Sequence, residues 1–501
     1  MKVLLMYPDR DFVLQEDFSR EREELVEDIG LNVVFEAMAR GDEFLFKVAR
    51  CALLNIEGDK DTIIYRQEIL RDCLNNPQLP KRLYSLTQEF MERRQKQWFW
   101  LSPRYASPGS VLSGARGILR SSLDLFKELR EIAERGIEVT SSRGFTRFFQ
   151  MVLKEMDDTY LSLIKEHLAV LEFEDGTLLK GCLGPCNIPR GYALVLPKGR
   201  KHRWLDKLKI FPSSQGFSFT LHPRDHNGAR ALGEIKDRGI SSVALAVAKA
   251  ASHVEKFFKA LKREMAFYIG ALNLYESLRE EGACICMPVV SEDVLEYSAR
   301  HLYNVALLLV KKKEVVANDV DASAKNPVII TGTNQGGKTT FLQAVALAQI
   351  MMQAGMFVGA RSFISHPAKG IFTHFKREED RTFESGKFEE ELKRMSAIID
   401  KIRPGAMLFL NESFGATNER EGSHIARDIV LALVERGIRI FYVTHLYEFA
   451  SLFYEKYRDT TLFLRAERLS DGTRTFKLVE SRPLQTSYGQ DLYKKIFKDL
   501  F

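Results

Sequence analysis

The chain has 501 residues, 45% hydrophobic and 28% charged, so it is too long for a single domain and apolar enough for well-packed ones. Its formal net charge of +6 is compatible with a polyanionic partner without requiring one. No apolar run reaches the length of a bilayer span. The opening Met1-Lys2-Val3-Leu4-Leu5-Met6-Tyr7-Pro8 is too short and too soon charged for a secretory signal, so a cytoplasmic protein is expected.

Residues 17–75 are helical in pattern. Asp17 and Ser19 are candidate N-caps, and apolar residues recur through Leu31, Val34, Phe35, Met38, Leu45, Val48 and Leu53. Asp61-Thr62 is expected to open a further helix, which Asn75-Asn76-Pro77 stops. Pro80 starts a helix predicted to reach Trp100, with the basic and then aromatic end Arg93-Arg94-Gln95-Lys96-Gln97-Trp98-Phe99-Trp100. Such an end either stacks on nucleic acid or buries its rings against a neighbouring helix. Helical stretches over about 111–135 and 146–170 complete a helical region.

At residue 171 the texture changes. Glycines and prolines punctuate short β-type runs at 192–196 and 217–221, which reads as a small β-rich insertion over 171–230. Within it, residues 198–209 hold six Lys/Arg and one Asp. Lys198, Arg200, Lys201 and Arg203 are candidate DNA-phosphate contacts, with a solvated basic loop as the alternative. Helical periodicity returns from Leu232 to about 278, through the alanine-rich 244–251. Cys182-x-x-x-Cys186 and Cys284-x-Cys286 lack the duplicated spacing of a zinc site, so reduced thiols are expected.

The most informative stretch is Thr331-Gly332-Thr333-Asn334-Gln335-Gly336-Gly337-Lys338-Thr339-Thr340, which fits G-x-x-x-x-G-K-[ST]. Val328-Ile329-Ile330 before it reads as a buried strand, and a helical run follows to Met352. Strand, glycine loop and helix in that order make a phosphate cradle: backbone N–H groups turn to the anion and the helix start adds partial positive charge. Lys338 is expected to reach the β/γ-phosphates and the Thr339 hydroxyl to bind Mg²⁺. Residues 406–410 form another apolar strand ending at Asn411-Glu412, with Glu412 placed as general base for an attacking water. Asn411 stands where a metal-side carboxylate is expected, and its neutral amide oxygen predicts weaker metal binding or slower turnover. A third strand over 438–443 ends in Thr444-His445, where His445 can donate to the γ-phosphate or the water.

With these residues in view, the chain resembles the MutS family of ATPases. That family's phosphate loop reads T-G-x-N-x-x-G-K-S-T, its Asp-Glu is followed by a Thr and then a Gly, and a Thr-His ends the next strand. Here Thr417 and Gly422 follow Asn411-Glu412, and Thr444-His445 matches the last motif. Weaker likenesses are Arg300-His301, Val316-Ala317-Asn318-Asp319, Ile371-Phe372-Thr373-His374 and Ser487-Tyr488-Gly489; Ile64-Tyr65-Arg66-Gln67-Glu68-Ile69-Leu70 is similar, more loosely, to the family's core helices. There are departures. A mismatch-reading N-terminal domain is not expected, because helical pattern begins almost at Met1. The family's Ser-Thr that reaches a partner's nucleotide is represented by Ser385 alone, before Gly386-Lys387-Phe388-Glu389-Glu390. The family's aromatic contact to adenine falls at Val315.

The resemblance implies a multidomain α and α/β protein: a helical core and lever region over 1–170, the β-rich insertion 171–230, a helical return over 231–300 and an ABC-type P-loop ATPase domain over 301–501. It implies ATP and Mg²⁺ as cofactors, a homodimer, and DNA as a partner read by structure more than by sequence, in repair or recombination. A nucleotide-binding switch with little hydrolysis is the alternative that Asn411 favours. An ABC-type transporter or chromosome-organising head is a third idea, but the chain offers no Leu-Ser-Gly-Gly signature and no long heptad stretch.

Overall fold

The computed structural model describes residues 1–15, 17–98, 107–173, 176–187, 189–195, 218–377, 386–469 and 473–484. They carry α1 (Arg20–Ile29), α2 (Leu31–Ala39), α3 (Glu43–Leu54), α4 (Lys60–Asn75), α5 (Gln78–Trp98), α6 (Pro108–Val139), α7 (Arg143–Glu155) and α8 (Asp158–Val170). The strands β1 (Leu179–Leu183) and β2 (Pro189–Leu194) come next, followed by α9 (His226–Glu280), β3 (Val289–Val290), β4 (Tyr297–Leu302), α10 (Val305–Lys311) and β5 (Asn318–Asp321). The remainder is β6 (Val328–Thr331), α11 (Lys338–Gln353), β7 (Ser362–Ser365), β8 (Ile371–Phe375), α12 (Lys387–Lys401), β9 (Met407–Asn411), α13 (Glu419–Glu435), β10 (Arg439–Val443), α14 (Tyr447–Tyr457), β11 (Leu462–Arg468) and β12 (Arg474–Glu480). The chain is thus mixed helical and α/β, with several sheets, and divides into two compact units.

One unit comprises Met1–Lys2, Arg82–Glu138 and Phe149–Lys262. Its core is aromatic: Phe90 stacks on Phe258 at 4.2 Å, and Phe126 lies 5.3 Å from the same ring. Arg93 pairs with Glu89 and Arg94 with Glu255, so these two cations of the basic–aromatic helix end are engaged inside the unit. The stretch 146–170 is two helices, because Asp157 turns extended and its carboxylate accepts from the Tyr160 N–H, capping a fresh start. β1 and β2 pair antiparallel, Leu179 opposite Leu194. The run at 217–221 forms no strand over its described residues 218–221, which lie in no ladder, and α9 begins soon after at His226. Lys198, Arg200, Lys201 and Arg203 lie outside the described residues.

The other unit comprises Val3–Lys81, Val139–Phe148 and Arg263–Phe501. Its six-stranded sheet has the order β12-β11-β6-β10-β9-β8, parallel except for β12, which runs antiparallel to β11. Helices must connect parallel neighbours, and a sheet covered on both faces asks for continuous apolar strands. Accordingly Val328, Ile329, Ile330, Leu408, Phe409, Leu410, Ile440, Phe441, Tyr442 and Val443 are all buried. A second sheet has the order β3-β7-β4-β5, with β3 parallel to β7 and the other pairs antiparallel.

The unit's first residues form a buried strap that the helical pattern does not foreshadow. The N–H groups of Leu5, Met6 and Phe12 donate to the Glu264 carboxylate of α9. Tyr268 and Tyr65 donate to the carbonyls of Leu5 and Leu4, and Arg66 to that of Met6. Burial pushes the Glu264 carboxyl up to about 7, against the pull of these N–H donors. α4 starts at Lys60 rather than at Asp61, since Asp59 caps it by accepting from the Thr62 N–H at 2.9 Å. α9 ends where Gly282 turns left-handed (φ 67°) and Ala283 donates back to the Leu278 carbonyl. No helix among the described residues is long and apolar enough to cross a membrane.

Candidate nucleotide site

The Gly332–Gly337 loop leaves the carboxyl end of β6, in the middle of the sheet. Parallel register brings three further strand ends beside it: Val443 lies opposite Asn411, Phe375 opposite Asn411 on the other side, and Thr444 donates to the Ile330 carbonyl at 3.0 Å. Asn411, Glu412, Thr444 and His445 therefore meet the loop at one edge of the sheet, the edge where open α/β sheets bind ligands.

Sterics make the loop's glycines necessary. A Cβ on Gly332 (φ 116°) would lie 2.9 Å from the Ala466 nitrogen, and one on Gly336 2.8 Å from the Ala466 Cβ. The loop thus lies directly against the β11–β12 ribbon. Gly337 (φ 89°) opens α11 with no side-chain cap, so the first N–H groups of the helix are left for another acceptor. Asn334 and Gln335 form the exposed tip, while the buried Thr333 hydroxyl has no hydrogen-bond partner among the described residues. Lys338 is only 5% exposed, and its ammonium donates to the carbonyls of Thr333 at 2.8 Å and Gly332 at 3.0 Å. Burial lowers its pKa to about 8; nearby Glu412 opposes that fall and Arg474 adds to it. Thr340 belongs to the first turn of α11, where its carbonyl accepts from Asn304 at 3.2 Å.

Next to the loop, the Thr339 hydroxyl donates to Asn411 Oδ1 at 3.0 Å. One hydroxyl and one amide oxygen are neutral hard donors. They suit a Mg²⁺ ion carried in by a polyphosphate, and are too few to hold one alone. Among the described residues no group of three or more His, Cys, Asp or Glu side chains is arranged around a possible metal position. His445 Nε2 donates to Glu412 Oε1 at 2.8 Å, so its partner is the carboxylate itself. That hydrogen bond is the main reason the Glu412 carboxyl sits below its ordinary pKa, keeping it ionised. Glu412 and Phe414 both hold left-handed backbone, at φ 55° and 65°, a strain typical of functional turns.

The turn after Glu412 is held from beneath. His374, fully buried on β8, places Nδ1 2.7 Å from the Ser413 hydroxyl and Nε2 3.1 Å from the Glu391 carbonyl on α12. A carbonyl accepts, so Nε2 carries the proton, while the Ser413 hydroxyl lies between Nδ1 and the His374 carbonyl, 2.7 Å from each, with one proton to share. Tyr442 donates to the Ser413 carbonyl at 2.7 Å. Burial is the first cause, and Arg394 the second, that lowers the His374 pKa to about 4. α12 starts with Gly386 at its N-cap and Glu389 and Glu390 in its first turn. Ser385 falls outside the described residues, as do Ser487-Tyr488-Gly489.

A cavity of about 270 Å³ opens on the other side of the phosphate loop. Val315 lines it, but its aromatic surfaces come from Tyr303, Phe341 and Phe476. Asn318, from the stretch upstream of the loop, fixes this wall: its amide donates to the Phe476 carbonyl and its oxygen accepts from the Leu478 N–H. Tyr303, Phe476 and Arg474 carry no local motif, and sequence reasoning passed over them.

A parallel sheet with a glycine loop, an uncapped helix start, a buried lysine and a carboxylate on neighbouring strand ends defines an α/β domain built to receive an anion. Residues 58–281 match the MutS2 N-terminal domain and residues 328–497 match MutS domain V. The DNA mismatch repair protein MutS of Thermotoga sp. (strain RQ2) is 32% identical over 167 residues, 33% of this chain and 21% of that protein. MutS of Thermus aquaticus is 26% identical over 232 residues, 46% of this chain and 28% of its own length. The human MutS protein homolog 4 is 31% identical over 137 residues, 27% of this chain and 15% of its own. The chain belongs to the MutS family. It spans less than a third of the length of these relatives.

Proposed function

We propose that this chain binds ATP with Mg²⁺ in the Gly332–Gly337 loop and hydrolyses it to switch a dimer's hold on DNA, in repair or recombination. The observation that supports this best is the meeting of Lys338, the Thr339–Asn411 pair and the Glu412–His445 pair at one sheet edge. In this reading residues 301–501 act as an ABC-type P-loop ATPase domain. The N–H groups from Thr333 to Thr340 cradle the phosphates, with Asn334 and Gln335 at the tip, and the Lys338 ammonium moves from the loop carbonyls to the β/γ-phosphates. The Thr339 hydroxyl and the Asn411 amide oxygen would hold the Mg²⁺ that the nucleotide brings; such an ion screens phosphate charge. Glu412, ionised, accepts a proton from the attacking water, and His445 fixes the direction of its carboxylate. The cavity lined by Tyr303 and Phe476 takes the adenine ring.

The relatives' names speak of DNA mismatch repair, which supports DNA as the partner here. Nucleotide-driven pairing would bring the start of α12, with Ser385 ahead of it, over a second subunit's γ-phosphate. A second reading, a nucleotide-binding switch with little hydrolysis, is favoured by the neutral Asn411. Steady-state phosphate release by wild type, Lys338→Ala and Glu412→Ala, with and without duplex, mismatched, branched and single-stranded DNA, tests both. ATP binding without Glu412-dependent turnover would select the switch; no ATP binding would reject the site.

A further inference from the structure

Arg474 opens β12 and is half-buried, yet it has no carboxylate partner among the described residues. Among the described residues its side chain hydrogen-bonds to the phosphate loop: Nη1 donates to Gln335 Oε1 at 2.8 Å. Gln335 sits at the loop's exposed tip in left-handed backbone, φ 57°. The ribbon that carries Arg474 is pressed against the loop, with the Ala466 nitrogen 2.9 Å from a Gly332 Cβ and the Phe476 carbonyl 3.4 Å from a Gly337 Cβ. The strand pairing adds a second oddity. Arg474 lies directly opposite Arg468 across the β11–β12 ladder. Like charges facing one another across a pair of strands destabilise it. A cation held beside the loop, with a neutral amide as its partner among the described residues, is a poor structural device and a good anion receptor.

The rest of the site asks for such a charge. The Thr339 hydroxyl is paired with the neutral amide of Asn411 rather than with a carboxylate, so a divalent ion there would be held less strongly and less of the polyphosphate's negative charge would be screened from the metal side. A guanidinium can supply that compensation, since it offers several N–H donors in one plane and stays charged at any working pH.

We infer that Arg474 is a phosphate-binding residue of this site, resting on Gln335 in the free protein and transferring its guanidinium to the polyphosphate of a bound nucleotide. The inference rests on the reading of the loop as a nucleotide site. No covalent bond is made or broken: a hydrogen bond from the guanidinium to a neutral amide oxygen is exchanged for ones to anionic phosphate oxygens, in which both partners are charged.

The test is calorimetric binding of ATP and of adenosine to the full chain as wild type, Arg474→Gln, Arg474→Lys, Gln335→Ala and Lys338→Ala. Arg474→Gln should weaken ATP between about tenfold and a hundredfold and leave adenosine within twofold, since adenosine has no phosphate. Arg474→Lys should recover part of the loss. Gln335→Ala removes the same resting hydrogen bond but keeps the charge, so it should bind ATP well above the level of Arg474→Gln. If Gln335→Ala and Arg474→Gln weaken ATP equally, the arginine merely braces the loop and the inference is overturned. Equal ATP binding by wild type and Arg474→Gln, with Lys338→Ala impaired, overturns it too while leaving the nucleotide site standing. Wild type that binds no ATP removes both.

Discussion

The buried His374 gives a stability change whose sign and size follow from the structure. In an unfolded chain an imidazole takes up a proton near pH 6.5, whereas burial among Ser413, Glu391 and Arg394 holds folded His374 neutral down to about pH 4. Arg394 works against the protonated ring, and Glu24, which is paired with Arg394, only partly offsets that. Between these values the unfolded state binds a proton that the folded state refuses. The stabilisation is therefore complete above pH 6.5 and is lost as pH falls towards 4, at about 1.4 kcal/mol per pH unit and about 3 kcal/mol in all. His374→Gln keeps a donor for the Glu391 carbonyl and removes the titration. Carboxylates elsewhere titrate equally in both proteins, so the comparison isolates the imidazole. Urea unfolding followed by circular dichroism at half-unit steps from pH 7.5 to 4 should give a wild-type curve that drops more steeply than the variant's. The variant starts lower at pH 7.5, since it loses the ring packed on Phe414, and the two converge in acid. Parallel curves across the whole range would refute the reasoning.

Three further outcomes follow from the site. Lys338→Ala removes the ammonium proposed for the β/γ-phosphates and should abolish ATP turnover; unchanged phosphate release from a folded variant would reject the assignment. Asn411→Asp restores a carboxylate beside the Thr339 hydroxyl, so Mg²⁺ should half-saturate ATP hydrolysis at lower concentration, and superimposable Mg²⁺ titrations would take residue 411 off the metal. Glu412→Gln should bind ATP, fail to turn it over and persist as a closed pair; light scattering that gives one mass with ATP, with ADP and without nucleotide would sink ATP-driven pairing.

The elements around the phosphate loop were legible in the sequence because their signals are local. Three apolar residues, a loop rich in glycine and an apolar helix follow one another in the chain, and the strand ends at Asn411 and Val443 announce themselves by apolar runs that stop. The helices were legible as helices but less so in their limits. The carboxylates of Asp59 and Asp157 each decided a start by reaching one N–H, and nothing in residue spacing separates a capping aspartate from a solvated one. Residues 3–12 were beyond reach altogether. The N–H groups of Leu5, Met6 and Phe12 and the Leu5 carbonyl are satisfied by Glu264 and Tyr268, more than 250 positions away, so no local pattern marks these positions as buried. The same separation hides His374 beneath Ser413, Arg474 against Gln335 and the aromatic wall beside Val315. Sequence by itself determined which residues can make an anion-binding turn, since that depends on backbone freedom at neighbouring glycines. Which groups restrain the turn, charge it and wall the cavity beside it was decided only when parallel pairing brought β8, β9, β10 and the β11–β12 ribbon around β6, because those contacts depend on strand order and register rather than on spacing along the chain.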